Sequence, residues 1–430
     1  MPYSPVDRVE VHLWDMLVGV AALDPTYGYY AFAYDPAFRG TGIELAPLHM
    51  PLNAQDVYLF PDLPVNTYKR LPALLADALP DDFGNALINS YMARQGMSAS
   101  QVSALDRLAY MGTRAMGALT FKPVRGPRTQ QASAIDMRKL VLVAREAVHG
   151  AIDDDEHTSA ALRSIIDVGT SAGGARAKAV VAIDPQTKEL RSGQVDAPAG
   201  FEHWLLKFDG VGVDKELGAS QNYGRIEFAY HLMARSAGIR MSDCDLLEEN
   251  GRAHFMTRRF DRHGSSGRHH VQTLCAMQHL DYKLKGVHSY EQFFLTMDQL
   301  DLPYEDRVEG FRRMVFNVVG MNCDDHVKNL SFILPEDEMA WRLAPAYDLT
   351  FAHNPKGEWT HQHLMSVNEK FKNIELSDLL IVADRFGVRQ AQRVIDEVRE
   401  ACQLWSVYAD AAGVPEQEIA FIDQQLVTLT

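Results

Sequence analysis

Apolar and polar positions change their period several times along this chain. Val9 to Leu13 and Leu17 to Ala21 are short apolar runs around Trp14-Asp15, and Tyr27 to Tyr34 is rich in aromatics. Such runs predict a small antiparallel sheet. Leu71, Leu74, Leu75, Ala78 and Leu79 then follow helical spacing, Leu79-Pro80-Asp81-Asp82 breaks it, and Phe83 to Tyr91 resumes it. Leu105 to Tyr110 and Ala118 to Phe121 close this first region. Residues 124–135 are polar, carry Gly and Pro, and read as a linker. Residues 136–166 have a helical pattern, interrupted by the acidic run Asp153 to Glu156, which predicts a solvated loop.

The middle of the chain alternates differently. Gly169-Thr170-Ser171-Ala172-Gly173-Gly174 predicts a Gly-rich turn. Ala179 to Ile183 and Trp204 to Phe208 predict strands separated by the turn Asp184-Pro185. A helix follows over Ile226 to Ala237 and a strand over Phe255 to Phe260. The remainder is mostly helical: Tyr290 to Leu300, Glu309 to Asn322, Leu376 to Phe386, Arg389 to Ala411 and Glu416 to Thr428. There is no internal repeat and no low-complexity tract.

Composition narrows the class. The chain has 430 residues, which at roughly 150 residues per domain predicts two or three domains. Hydrophobic residues make up 47% and charged residues 23%, which excludes a disordered chain, a collagen-like chain and a coiled-coil rod. The formal charge of −15 argues against tight non-specific binding of nucleic acid by this chain alone. Cys244, Cys275, Cys323 and Cys402 are far apart with no CxxC spacing, so neither a disulfide framework nor a zinc site is expected. The first seven residues carry no leader pattern, and no apolar stretch reaches the roughly 18–20 residues of a membrane helix. A soluble cytoplasmic protein without membrane contact is expected.

Four elements can carry chemistry. The hexapeptide Asp324-Asp325-His326-Val327-Lys328-Asn329 lies between a helix and the apolar Leu330 to Leu334. Asp324 and Asn329 are five residues apart. In a protein-kinase catalytic loop an Asp at that offset accepts the substrate hydroxyl's proton, and the Asn holds a metal ion. Further on, Asp348 closes the apolar stretch Leu343 to Tyr347, where a kinase keeps its metal-binding Asp. A carboxylate and a carboxamide suit Mg²⁺, with phosphate oxygens completing its shell. Lys207 sits in the apolar strand Trp204 to Phe208, where a lone ammonium is costly unless paired; Glu227 on the next helix is the candidate partner. The glycines around Ser171 let backbone N–H groups approach phosphates.

That Gly-rich turn is open to a second reading. Gly169-Thr170-Ser171-Ala172-Gly173 also fits GxSxG, the nucleophile elbow of α/β-hydrolases, with Ser171 as nucleophile and acid and base from Asp324, His326 or His353. An elbow needs a strand before it and a helix after it. Here a helical stretch precedes and the β-branched run Val180 to Ile183 follows. The order of Gly-rich turn, strand, strand Lys, helix Glu, hinge-like strand, helices, Asp-x4-Asn and Asp is that of a kinase N-lobe and C-lobe.

The chain resembles the HipA family of bacterial serine/threonine kinases, the toxins of toxin–antitoxin pairs. The resemblance rests on Leu75-Ala76-Asp77-Ala78-Leu79-Pro80-Asp81-Asp82-Phe83-Gly84, Ser171 to Lys178, Arg259-Phe260-Asp261-Arg262 and Asp324 to Asn329. It implies an α+β, protein-kinase-like two-lobed fold: a small mixed α/β N-terminal region, then a mainly α-helical C-terminal lobe. The expected boundaries are 1–125 for the N-terminal subdomain, 126–160 for a linker and helix, 161–262 for the nucleotide-binding part and 263–430 for the helical catalytic lobe. It implies ATP and Mg²⁺ as cofactors, Asp324 as catalytic base, Asn329 and Asp348 as metal holders and Lys207 on the ATP phosphates. Ser171, Ala172, Gly173, Gly174, Ala175 and Lys178 would form the phosphate loop, the backbone from Arg258 to Phe260 would meet adenine, and His326 and Lys328 would flank the nucleotide. Ser171 matches the family's autophosphorylated serine, whose modification would inactivate. Implied partners are a protein substrate, with glutamyl-tRNA synthetase as first guess, and a helix-turn-helix antitoxin of the HipB kind, through which alone the chain would meet DNA. A non-catalytic module that serves only as antitoxin-bound co-repressor would be expected to lack Lys207, Asp324, Asn329 or Asp348; all four are present.

Overall fold

The computed structural model describes residues 3–80, 82–127, 177–193, 198–210 and 222–429. The Gly-rich turn with Ser171, and the helical pattern over 136–166, lie outside them.

The first region builds a four-stranded sheet in the order β3-β2-β1-β4, from β1 (Arg8–Leu13), β2 (Met16–Asp24), β3 (Tyr29–Tyr34) and β4 (Leu119–Lys122). All its pairings are antiparallel. Val9, Val11 and Leu13 of β1 point inward and are fully buried, together with Phe32 and Phe121. Gly19 makes the β2–β3 pairing possible, because a Cβ there would stand 2.2 Å from the Ala33 carbonyl oxygen. Against this sheet packs the Ala104–Met111 helix, whose Ser103 and Asp106 form a reciprocal N-terminal cap. Asp106 is fully buried and also accepts from the Val6 backbone N–H at 2.9 Å, which ties down the start of the chain.

The second sheet is five-stranded, in the order β6-β5-β7-β9-β8: β5 (Lys178–Ile183), β6 (Leu190–Ser192), β7 (Glu202–Lys207), β8 (Cys244–Glu249) and β9 (Arg252–Arg258). Every residue of β5 is buried, and five of the six in β7 are. The Tyr223–Ser236 helix lies across β8 and β9. Its second residue, Gly224, allows the contact, since a Cβ there would meet the Ala253 carbonyl oxygen at 2.0 Å. β8 is an edge strand that the apolar pattern does not reveal, because CDLLEE alternates weakly and ends in two acids. A signal was present beside it. Asn250-Gly251, both at positive φ, turns β8 into β9 with Glu249 opposite Arg252, the favoured two-residue hairpin. The strand expected over Phe255 to Phe260 ends at Arg258 and begins earlier, at Arg252.

The last part is mainly helical: Tyr290–Gln299, Tyr304–Val319, Leu376–Arg385, Ala391–Gln403, Trp405–Ala411 and Glu416–Asp423. The single helix expected over Arg389 to Ala411 is two, joined at Leu404. Its buried positions Val394, Ile395, Val398, Ala401, Cys402, Trp405 and Ala409 keep helical spacing across the joint, so periodicity alone does not show the break. Trp405 is fully buried and stands 5.3 Å from the Tyr230 ring, fastening the C-terminal helices to the helix of the second sheet.

Candidate active site

β7 ends in Lys207, opposite Lys178 at the start of β5. Two lysines facing each other in a buried register pair need counter-charges. For Lys207 they come from two directions. Its Nζ contacts the Glu227 carboxylate on the Tyr223–Ser236 helix and the Asp348 carboxylate from the far lobe. The Phe255 ring of β9 lies 5.5 Å from the same ammonium. Lys207 is 8% exposed and Glu227 1%, so this lysine does not snorkel to solvent from a strand end.

The helix is set for this contact by its own start. Asp209, just past β7, accepts from the Tyr223 backbone N–H at 3.1 Å. A carboxylate at a helix N-terminus complements the unpaired N–H groups there. Strand and helix are thus joined two residues beyond the lysine.

Asp348 has φ of +53°, a left-handed backbone uncommon for a residue with a Cβ. The Asn322 amide faces its carbonyl at 3.4 Å. Burial pushes the Asp348 carboxyl upward, but the Lys207 and Lys178 ammonium groups outweigh that and hold it at about 2. The group is an anion across the ordinary pH range.

The polar hexapeptide is a tight loop. The Asn329 side-chain amide donates to the Asp324 carbonyl at 2.8 Å, and the Asn329 backbone N–H to the His326 carbonyl at 2.8 Å. These bonds use the Asn329 nitrogens and leave its side-chain oxygen as the group for other contacts. Asn329, Asp348, Asn322 and Arg313 line one small cavity. The Asn329 carboxamide and the Asp348 carboxylate offer hard oxygen ligands of the kind Mg²⁺ takes from a protein when phosphate and water supply the rest. Among the described residues no group of three or more His, Cys, Asp and Glu converges on a metal position. The Asn329 and Asp348 oxygens are of the kind that fits Mg²⁺.

The two aspartates of the loop point to different environments. The Asp324 side chain is 50% exposed, with His326 Nε2 3.9 Å away. Asp325 turns inward and is buried. It accepts from the Leu364 N–H at 2.7 Å and the Tyr290 hydroxyl at 2.9 Å, and it pairs with His363 at 2.9 Å. Burial works against the His363 imidazolium, but the Asp325 carboxylate overrides it and pushes the ring up to about 10. The Asn317 amide donates to Tyr290 at 2.8 Å, and Asn322 donates to Asn317 at 2.9 Å. This chain leads from the loop to Asn322, the residue that faces the Asp348 carbonyl. Sequence reasoning missed it; the doubled Asp324-Asp325 was the only local sign.

The remaining expected residues fall around this centre. The Lys328 ammonium lies 5.3 Å from the Tyr282 ring, and its carbonyl accepts from the Tyr347 hydroxyl at 2.8 Å. The Phe260 ring stacks at 6.0 Å on Tyr347, the neighbour of Asp348. Arg258, half exposed, faces Glu202 at 3.4 Å and Asp243 at 3.8 Å. Its neighbours make a brace to the first region. Asp261 is fully buried, binds Arg259 and Arg262 at 2.7 Å each, and accepts from the Gly117 N–H at 2.7 Å. Burial pushes the Asp261 carboxyl up, and the two guanidinium groups outweigh that and hold it far below the usual carboxylate range. Ser171, Ala172, Gly173, Gly174 and Ala175 lie outside the described residues. No described helix is long and apolar enough to cross a membrane.

Comparison with known proteins gives a consistent family. The sequence matches the HipA N-terminal domain over residues 9–122 and the HipA-like C-terminal domain over residues 170–405. Among solved structures, a chain of the Shewanella oneidensis MR-1 complex of HipA, HipB and operator DNA superimposes with a TM-score of 0.68 at 17% identity. The match covers 97% of this chain and 95% of that one. The Helicobacter pylori proinflammatory kinase CtkA matches with a TM-score of 0.33 at 11% identity, over 52% of this chain and 90% of that one. No curated protein matches the sequence. The fold is therefore α+β and two-lobed, like that of the similar HipA chain, with a mainly helical second lobe.

Proposed function

This chain belongs to the HipA family, and we propose from that premise that it is an ATP-dependent protein serine/threonine kinase acting as the toxin of a toxin–antitoxin pair. The observation that carries the reading is the Lys207 ammonium held between the buried Glu227 and the Asp348 carboxylate. A strand lysine kept in place by a helix glutamate is the arrangement that presents a cation to nucleotide phosphates in kinases.

In this proposal Lys207 and Lys178 take the phosphates of ATP, and the segment from Arg258 to Phe260 borders the adenine. Asn329 and Asp348 hold Mg²⁺, which when bound neutralises charge on the transferred phosphoryl group. Asp324, in the open half of its loop, accepts the proton of a Ser or Thr hydroxyl as it attacks. A positioned base of this kind contributes about 10² to 10⁴ in rate. His326 and Lys328 flank the transferred group. Ser171 is the site of autophosphorylation. A phosphate there adds about −1.5 to −2 charge beside bound triphosphate and drives the Gly-rich turn out of the site. Glutamyl-tRNA synthetase is the first substrate to assay. The HipB and operator DNA in the complex of the similar Shewanella structure make a helix-turn-helix antitoxin the partner to seek, with DNA reached through it.

The test is incubation of unphosphorylated protein with radiolabelled ATP and Mg²⁺, beside Asp324→Ala and Ser171→Ala, with intact mass recorded. Label on the parent chain, absent from Asp324→Ala and greatly reduced in Ser171→Ala, is the expected result. No label and no nucleotide binding in any form overturns the kinase and returns the Ser171 hydrolase and the antitoxin-bound co-repressor to the front.

A further inference from the structure

The catalytic loop is held by a neighbouring segment of its own lobe. The Leu274 N–H donates to the Leu330 carbonyl at 2.7 Å, and the Cys275 N–H to the Val327 carbonyl at 3.0 Å. These two amides thus fix the second half of the loop, on either side of Lys328 and Asn329. They belong to the short Leu274–Met277 helix, whose N-cap is Thr273.

That cap is gripped by the N-terminal region. The Asp77 carboxylate accepts from the Thr273 N–H and from its hydroxyl, both at 2.8 Å. The Tyr68 hydroxyl faces the carbonyls of Cys275 and Leu280 at 3.0 and 2.9 Å. Tyr68 is 1% exposed, so this hydroxyl has no water to replace those partners. Thr67 holds Asp281, and the Lys283 ammonium donates to the Asn66 carbonyl at 3.2 Å. Between these points stands Tyr282, whose ring lies 5.5 Å from His326 and 5.3 Å from the Lys328 ammonium. Burial pushes the Asp77 carboxyl up, with the Lys328 ammonium working against it, so the two groups feel each other.

We propose that Asp77 and Tyr68 of the N-terminal domain are positioning residues for phosphoryl transfer: they fix the Thr273–Cys275 segment and, through it, the catalytic loop that carries Asp324, Lys328 and Asn329. The inference rests on the kinase reading above. It makes the N-terminal domain a working part of the catalytic unit. The geometry sets the expected phenotype. Both side chains bind the Thr273–Leu280 segment rather than Lys207 or Glu227, so the loss is expected chiefly in the turnover step.

The experiment uses the full chain with Tyr68→Phe, Asp77→Asn, Thr273→Val and Thr273→Ser. Small displacements of reacting groups cost up to about 100-fold in rate. Tyr68→Phe, Asp77→Asn and Thr273→Val are expected to lower kcat by about 10- to 100-fold, with a smaller change in the KM for ATP. Thr273→Ser, which keeps the hydroxyl, restores the rate lost in Thr273→Val. Amide hydrogen exchange at Leu274, Cys275 and Asn329 is measured on the same proteins and rises in the three impaired variants. Parent-like kcat in both Tyr68→Phe and Asp77→Asn overturns the inference while leaving the kinase intact. If the parent chain itself transfers no phosphate, the kinase reading fails, and unchanged exchange at those amides then overturns the positioning role independently.

Discussion

Asp325 and His363 stand 2.9 Å apart in the protein interior, one on the loop beside Asp324 and the other beyond Asp348 in the chain. With the Leu364 N–H on the other carboxylate oxygen, the pair clasps the segment after Asp348 to the loop before it. Both flanks of the candidate centre are thereby fixed to one buried charge pair. The pair also has a pH signature. The ring is held at about 10 against an ordinary 6.5. A group whose value is raised by folding contributes fully below its unfolded value and loses that contribution as pH climbs through the folded one. The urea midpoint is therefore expected to fall between pH 7 and pH 9.5, and to fall less steeply in His363→Gln. Equal slopes for the two proteins would refute the assignment. His363→Ala, which leaves Asp325 buried without its cation, is expected to cost about 3–5 kcal/mol at pH 7.

Lys207 combines a structural and a chemical role, and two substitutions separate them. Lys207→Met leaves Glu227 buried without its cation, at a cost of about 3–5 kcal/mol. Adding Glu227→Gln removes one of the two stranded charges, and Asp348 keeps the Lys178 ammonium. The double variant is expected to recover part of the stability by urea titration and none of the phosphoryl transfer. Recovery of transfer in the double variant would show that the ammonium has no chemical role.

Asp324 presents the opposite profile. Its side chain is half exposed. Asp324→Asn is expected to lower transfer by about 10² to 10⁴. The urea midpoint should stay within about 0.5 kcal/mol of the parent, as for surface substitutions. Loss of stability in parallel with activity would move the base role elsewhere.

Gly224 governs how closely the Glu227 helix approaches its sheet. A Cβ there would overlap the Ala253 carbonyl oxygen at 2.0 Å, a backbone atom that cannot swing aside. Gly224→Ala is expected to lift the helix start from β9, destabilise the fold by about 1–3 kcal/mol as overpacking does, and weaken ATP binding through Glu227 and Lys207. Isothermal titration with ATP against urea stability checks both; parent-like values in both would exclude the close approach.

What the sequence determined by itself was local. The antiparallel runs of the first region, the strand ending in Lys207, the Glu227 helix, the Asp324 to Asn329 loop and Asp348 were all legible, because period and spacing act between near neighbours in the chain. The structure brings Lys207, Glu227 and Asp348 into contact as one cluster. The weakly patterned β8 and the break at Leu404 were not legible, since one is an edge strand with little to bury and the other preserves helical spacing. Tertiary structure alone decided which of two adjacent aspartates faces outward. Asp324 and Asp325 are the same residue type in the same loop, and only His363, Leu364 and Tyr290, distant in sequence, draw one of them inside. It alone also turned Arg259-Phe260-Asp261-Arg262 into a brace on Gly117, and Asp77 and Tyr68 into anchors on Thr273 and Cys275. Such partners are far apart along the chain, so no periodicity or motif spacing records them. Their energies come from desolvated charges and hydrogen bonds, which exist only once the lobes have closed around them.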